Sequence, residues 1–162
     1  MLLRKGIIVL VLSTLVVAMA AASVGAVSAG PSLKNLKSGN GGYVVTFGKS
    51  SDVSPQSMLV SPMSSMGNTI KQGQTQWAQK TVVGNPTTIY TDVYWGNPTN
   101  SISLTVYTPD GYVLGPVYDN IEGIINGDIP LAITRSGGVA SGTYYYQIYG
   151  YRISGSQYYT FS

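Results

Sequence analysis

Carboxylates are the side chains of this chain best suited to bind a metal ion, and most of them lie in one segment. Four of the six acidic residues fall between positions 110 and 128, namely Asp110, Asp119, Glu122 and Asp128. Calcium takes oxygen ligands from carboxylates, amides and carbonyls on flexible loops. We therefore expect calcium, where it binds, to be held by Asp119, Glu122 and Asp128 and to stabilise the fold. The alternative is that Asp, Asn and Gly only form turns here.

The residue types needed for most enzymatic mechanisms are missing from the sequence. The chain has no His and no Cys, which excludes a Ser-His-Asp triad, a thiolate nucleophile and the usual zinc ligands. Six carboxylates, a few Lys and the hydroxyls of Tyr and Ser remain, and a pair of carboxylates is still formally available for hydrolysis. Because most of the acids lie in turn-like segments, we predict that the protein is not an enzyme and has no catalytic residues. We also expect no cofactor other than the calcium ion.

The first 29 residues have the pattern of a signal peptide. Arg4 and Lys5 precede an uncharged, mostly aliphatic run, and Val27-Ser28-Ala29 fits a cleavage site with small residues at −3 and −1. Retention of this segment as a membrane anchor is the alternative, although the run is short for a span. We predict cleavage after Ala29, a secreted or cell-surface protein, and no stable membrane span after cleavage.

Charge argues against a nucleic-acid partner. Without Arg4 and Lys5 the chain keeps seven basic and six acidic residues, and the basic residues form no cluster. Nucleic-acid binding depends on concentrated positive charge. We therefore expect no nucleic-acid partner.

Beyond the signal peptide, the sequence divides into a segment with little periodicity and an all-β domain. Residues 30–67 are rich in Ser, Gly, Pro and Met and are interpreted as an N-terminal segment or linker, with one β-type run at 43–47. Residues 68–162 contain seven to eight short runs of alternating apolar and polar residues, separated by Gly, Pro and Asn turns. This pattern predicts an antiparallel β-sandwich. Its predicted core comprises Ile102, Leu104, Val106, Ile129, Leu131, Ile133 and Ile148, with Trp77 and Trp95 as anchors between the sheets.

Tyrosine supplies the candidate binding residues. The chain has 13 tyrosines, and the alternation in the run 142–152 turns Tyr145, Tyr149 and Tyr151 away from the predicted core. Tyrosine is favoured at interfaces because it offers a large, rigid and partly polar contact area. We predict that this face binds a protein or a glycan at the cell surface. The alternative is that these rings only pair across strands.

A structural role is the second hypothesis for function. The segment 142–162 contains no proline and a single charged residue, Arg152, so its strands have little protection against pairing with another chain. Self-association by strand addition would make the protein a subunit of a surface layer or filament. The run 43–47 is the candidate for a donated strand.

Several runs, in order, resemble the bacterial pre-peptidase C-terminal domain and its relatives in secreted archaeal proteins. They are Asp92–Trp95 (DVYW), Ile102–Gly111 (ISLTVYTPDG), Gly142–Gly150 (GTYYYQIYG) and Gln157–Phe161 (QYYTF), and the resemblance covers residues 69–162. It implies a jelly-roll-like β-sandwich that does no chemistry and accompanies a secreted peptidase or another exported enzyme. Since no peptidase accompanies the domain in this chain, such a role would act in trans or not at all. The acids that often precede the second run in that family are replaced by Thr99, Asn100 and Ser101.

Overall fold

The structure is a computed structural model that describes residues 35–48, 66–120 and 125–162. These residues form nine strands and no helix, so they contain no helix that could cross a membrane. The strands are β1 (Tyr43–Phe47), β2 (Met66–Lys71), β3 (Thr75–Val82), β4 (Thr88–Tyr94), β5 (Ser101–Tyr107), β6 (Val113–Tyr118), β7 (Asp128–Arg135), β8 (Gly142–Arg152) and β9 (Ser156–Phe161). The predicted signal peptide, residues 1–29, lies outside the described residues.

The nine strands form two antiparallel sheets, which confirms the predicted β-sandwich. One sheet has the order β1-β7-β4-β9-β2 and the other the order β3-β8-β5-β6. Side chains alternate across each strand because the strand period is two, so every strand offers one face to the space between the sheets. The aliphatic residues predicted for the core are all buried there: Ile102, Leu104, Val106, Ile129, Leu131, Ile133 and Ile148.

The two tryptophans do not share the position predicted for them. Trp95 is buried, and its indole Nε1 donates to the backbone oxygens of Asn97 and Asn100, each at 3.0 Å. Trp77 is only half-buried, and its prediction as a core anchor is wrong. Since Ala78 and Lys80 are the buried neighbours on β3, the alternation sends Trp77 to the outer face of the four-stranded sheet.

Strand β1 belongs to the sandwich, so the domain begins before the predicted boundary at residue 68. Tyr43 to Phe47 pair antiparallel with Arg135 to Leu131 of β7 in the same chain. Tyr43 is buried, and Val45 and Phe47 pack against the core. In this structure the run predicted as a donated strand is therefore paired within its own chain. The run 43–47 was predicted as β-type, but the Gly- and Ser-rich residues around it led to its assignment to the linker instead of the sandwich.

A polar cluster holds β1 at one end of the sandwich. The Tyr43 hydroxyl donates to Asp110 Oδ1 at 3.0 Å and accepts from the backbone N–H of Ala140 at 3.2 Å. Arg135 donates to Asp110 Oδ2 at 2.7 Å, and its guanidinium carbon lies 4.7 Å from the centre of the Tyr43 ring. Burial alone would raise the pKa of Asp110, but hydrogen bonds from Thr108, Tyr43 and Arg135 outweigh it and lower that pKa below 3.8. The carboxylate is therefore stabilised in its charged form.

Two buried tyrosines on β8 differ in how their hydroxyls are satisfied. Tyr144 donates to the backbone oxygen of Ala140 at 3.0 Å and lies 3.3 Å from the Tyr43 hydroxyl. Tyr146 is also fully buried, but within the described part of the chain its hydroxyl has no hydrogen-bond partner. An unsatisfied buried hydroxyl costs stability that a bonded one does not.

Removal of the Tyr146 hydroxyl and removal of the Tyr144 hydroxyl are therefore expected to change stability in opposite directions. Tyr146→Phe should raise the free energy of unfolding by about 1–2 kcal/mol, because it deletes an unsatisfied polar atom. Tyr144→Phe should lower it by about 1 kcal/mol, because it breaks a buried hydrogen bond. Urea denaturation of the wild type and both variants measures the two changes. A loss of stability in Tyr146→Phe would mean that a buried water completes that hydroxyl's bonding.

Candidate functional site

Strand β8 runs between β3 and β5 and sets the outer face of the four-stranded sheet. Its inward residues Tyr144, Tyr146 and Ile148 are buried, so Tyr145 and Tyr149 turn outward and are half-buried. Tyr151 follows on the same side and exposes 51% of its surface. The structure thus brings the three tyrosines of the predicted binding face onto one side of one strand.

The neighbouring strands add three more aromatic side chains to this side. In register, Trp77 of β3 and Thr105 of β5 both lie opposite Gln147, and Tyr107 lies opposite Tyr145. Tyr118 of β6 lies opposite Ser103, which itself lies opposite Tyr149. We call this surface the aromatic face; it comprises Trp77, Tyr107, Tyr118, Tyr145, Tyr149 and Tyr151.

Contacts between side chains fix four of the six rings of the aromatic face. Trp77 and Tyr107 meet across β8, with ring centres 5.5 Å apart and planes inclined at 48°. The Tyr107 hydroxyl donates to Gln147 Oε1 at 3.0 Å, and burial raises the pKa of Tyr107 above its usual value of 10.0. Tyr118 packs edge-on against Tyr151, with ring centres 4.9 Å apart. Side chains held in this way lose little conformational entropy when a ligand binds.

The aromatic face carries no charge at its strand positions. On β3, β5 and β8 the residues that fill the outward positions between the rings are all polar and neutral: Thr75, Gln79, Thr81, Ser103, Thr105, Thr143 and Gln147. Among the described residues, the nearest charges in sequence are Arg152, which follows Tyr151 at the end of β8, and the buried Asp119, which follows Tyr118 at the end of β6. The surface therefore offers flat rings together with hydroxyl and amide groups, and no ionic partner.

The predicted calcium ligands are placed at the two ends of one connection. Asp119 follows β6 and Asp128 begins β7, and both are buried, whereas Glu122 lies outside the described residues. Asp119 Oδ2 accepts from the backbone N–H of Gly127 at 3.3 Å. No group of three His, Cys, Asp or Glu side chains able to hold a metal occurs in the described ranges. The calcium site stays a prediction.

The raised pKa of the buried Asp119 carboxyl provides a test of the predicted calcium site. Burial raises the pKa of Asp119 above 3.8, against smaller opposing effects from backbone hydrogen bonds and Arg152. A raised carboxyl pKa contributes stability at acidic pH that is lost as the pH rises through it. In a chelator at pH 7, Asp119→Asn should therefore melt at the same temperature as the wild type or higher. Millimolar calcium should raise the melting temperature of the wild type alone; an unchanged wild type would remove the calcium site.

Three rings of the aromatic face were not among the predicted binding residues: Trp77, Tyr107 and Tyr118. The alternation of residues 101–108 already turns Tyr107 outward, so that signal was available. Trp77 was predicted as a core anchor, although Ala78 beside it is the residue that the sheet buries. The place of Tyr118 depends on the pairing of β6 with β5, which no local pattern specifies.

Comparison with known proteins adds little to this geometry. No family model matches the chain, and no solved structure matches it. A segment of 42 residues, or 26% of the chain, is 45% identical to an uncharacterized protein of Archaeoglobus fulgidus and covers 58% of that protein's length. The chain thus spans less than two thirds of this relative, whose name indicates no activity.

Proposed function

We propose that this protein is a non-catalytic binding module that works outside the cell, in the medium or at the cell surface. The observation that carries the proposal is the aromatic face, whose six rings lie on one uncharged side of a sheet. Aromatic side chains are enriched at binding surfaces and charged ones are depleted from their centres. The signal-peptide pattern of residues 1–29 supports the location, and the pre-peptidase resemblance supports a role beside a secreted peptidase.

Attachment to cell-envelope material of the producing organism tests this proposal. The purified protein should co-sediment with the envelopes, and Tyr149→Ala should weaken attachment about tenfold or more, equivalent to about 1.4 kcal/mol or more. Because Tyr149 is half-buried on an outer face, its loss should cost only about 0.2–1 kcal/mol of stability through cross-strand pairing. Thermal melting confirms that the variant is folded.

Tyr158→Ala is the matched control for that experiment. Tyr158 is a tyrosine on β9 of the five-stranded sheet, and it exposes 60% of its surface. Its replacement removes a comparable ring from the opposite side of the sandwich and should leave attachment unchanged. Equal attachment by the wild type and Tyr149→Ala would overturn the proposal that the aromatic face is the binding surface.

A further inference from the structure

We infer that the ligand of the aromatic face is a neutral polysaccharide; this inference rests on the proposed function and specifies its ligand class. The pyranose ring of a sugar carries C–H groups that pack on an aromatic ring and hydroxyls at its edge that need hydrogen-bond partners. The aromatic face supplies both kinds of group side by side. Trp77 and Tyr107 offer rings, and Gln147, opposite Trp77 in register, offers an amide.

The absence of charge on the aromatic face disfavours polyanions and polycations as ligands. A nucleic acid, an acidic polysaccharide or an acidic peptide needs Lys or Arg at its binding surface, and a basic partner needs carboxylates. The outward positions of β3, β5 and β8 between the rings hold only Thr, Ser and Gln. An uncharged surface that still provides many hydrogen-bonding groups is complementary to a ligand that is itself uncharged and rich in hydroxyls.

The layout of the rings favours a polymer over a single sugar. Tyr145 and Tyr149 are four residues apart on β8, which separates them by about 13 Å. The Trp77–Tyr107 pair and the Tyr118–Tyr151 pair are separate clusters on the same face. No single sugar ring covers both clusters, whereas successive sugars of a chain reach from one to the other.

Fixed rings favour binding of this kind. Tyr107 is held by its hydrogen bond to Gln147 and by its contact with Trp77, and Tyr151 is held by Tyr118. A weak stacking contact contributes net affinity only when little side-chain entropy is lost on binding. Fixed rings at several points of the face provide such low-entropy stacking contacts along the length of a polymer.

Retention on immobilised polymers tests the inference. The purified protein is passed over cellulose, chitin, dextran and mannan as neutral probes, and over heparin, polygalacturonate and gelatin as charged and protein probes. We expect retention on at least one neutral polymer, at low and at high salt alike, because no ion pair is screened. Trp77→Ala should weaken that retention about tenfold or more, equivalent to about 1.4 kcal/mol or more. Trp77→Tyr should restore most of it, and Tyr158→Ala should retain it fully.

The outcomes separate this inference from the proposed function. Retention on gelatin or on a charged polymer alone would overturn the inference, and so would retention on none of the probes. The proposed function would still stand in either case if Tyr149→Ala abolished attachment to cell envelopes. Neutral polymer bound equally by the wild type and Trp77→Ala would place the ligand elsewhere on the molecule and overturn the inference.

Discussion

Replacing Tyr43 with alanine is expected to lower the free energy of unfolding by about 3–5 kcal/mol, the range for removing a large aromatic ring from a core. The ring is almost fully buried at the edge of the five-stranded sheet. Its hydroxyl also bonds to Asp110 and to the backbone of Ala140. Most small domains have only about 5–15 kcal/mol of stability, so much of this protein's margin should be lost. Chemical denaturation measures the change.

The expected loss comes from the way Tyr43 joins distant parts of the chain. Asp110 follows β5, Arg135 ends β7, and Ala140 precedes β8, and all three contact the same phenol. Removal of the side chain leaves the Asp110 carboxylate without one of its donors and the Ala140 N–H without its acceptor. Buried groups that lose their partners add to the cost of the cavity itself.

Two variants on the same strand provide the controls. Tyr43→Phe keeps the ring and deletes the hydroxyl, and it should cost about 1–3 kcal/mol. Val44→Ala changes the adjacent residue, which exposes 55% of its surface, and should alter stability by no more than about 0.5 kcal/mol. If Tyr43→Ala were as stable as Val44→Ala, β1 would be dispensable and the domain would begin near residue 68, where the sequence alone places its start.

Alternation of apolar and polar residues was enough to predict the central strands. Along 101–107 the aliphatic residues occupy every second position, and along 142–150 Tyr144, Tyr146 and Ile148 were predicted on one face; the structure buries both sets. Ile89, Thr91, Val93 and Trp95 also occupy every second position in and just after β4, and all four are buried. These strands lie inside the sheets, where a period of two is enforced by burial.

Edges and long-range contacts account for what the sequence did not predict. Trp77 lies on β3, an edge strand that has only β8 as its neighbour in the sheet. A large side chain can lie on the outer face there, where a second strand does not flank it. The cluster around Tyr43 joins residues that are 67 to 101 positions apart in the chain. A single sequence carries no periodic signal for contacts of that separation, since they arise only after the two sheets have packed.

Replacing Lys80 with methionine is expected to raise the free energy of unfolding at pH 7 by about 1–2 kcal/mol. Lys80 points into the sandwich from β3 and is buried. Its Nζ donates to the backbone oxygen of Tyr90 at 3.1 Å and lies 5.2 Å from the centre of the Phe161 ring. Burial lowers the pKa of Lys80 from 10.5 to about 8, although the charge of Asp92 acts in the opposite direction. A shift of this size corresponds to about 3 kcal/mol against the charged form, less the lost hydrogen bond.

The pH dependence of stability provides a second test of the lowered pKa of Lys80. Between pH 8 and 10.5 the unfolded chain binds a proton on Lys80 that the folded chain has released, so stability should rise with pH in that window. Buried tyrosines act the other way above pH 10, because burial raises the pKa of Tyr159 to about 12 and that of Tyr144 further. Melting temperatures between pH 7 and 9.5 should therefore rise in the wild type and stay level in Lys80→Met. Lys71→Met, at an exposed lysine, should behave as the wild type.

The location of Lys80 on an edge strand explains why a destabilising residue can be kept there. Strand β3 has eight residues and only β8 as its partner in the sheet, so its other side could pair with a second chain. An inward-pointing charge on an edge strand opposes such pairing, because added sheet would bury the ammonium more deeply. We therefore expect Lys80→Met to be more stable yet to form oligomers at concentrations where the wild type is monomeric by light scattering. A Lys80→Met variant that stays monomeric would show that β3 is protected by another feature, and one that melts below the wild type at pH 7 would show that the bonds of Lys80 outweigh its burial.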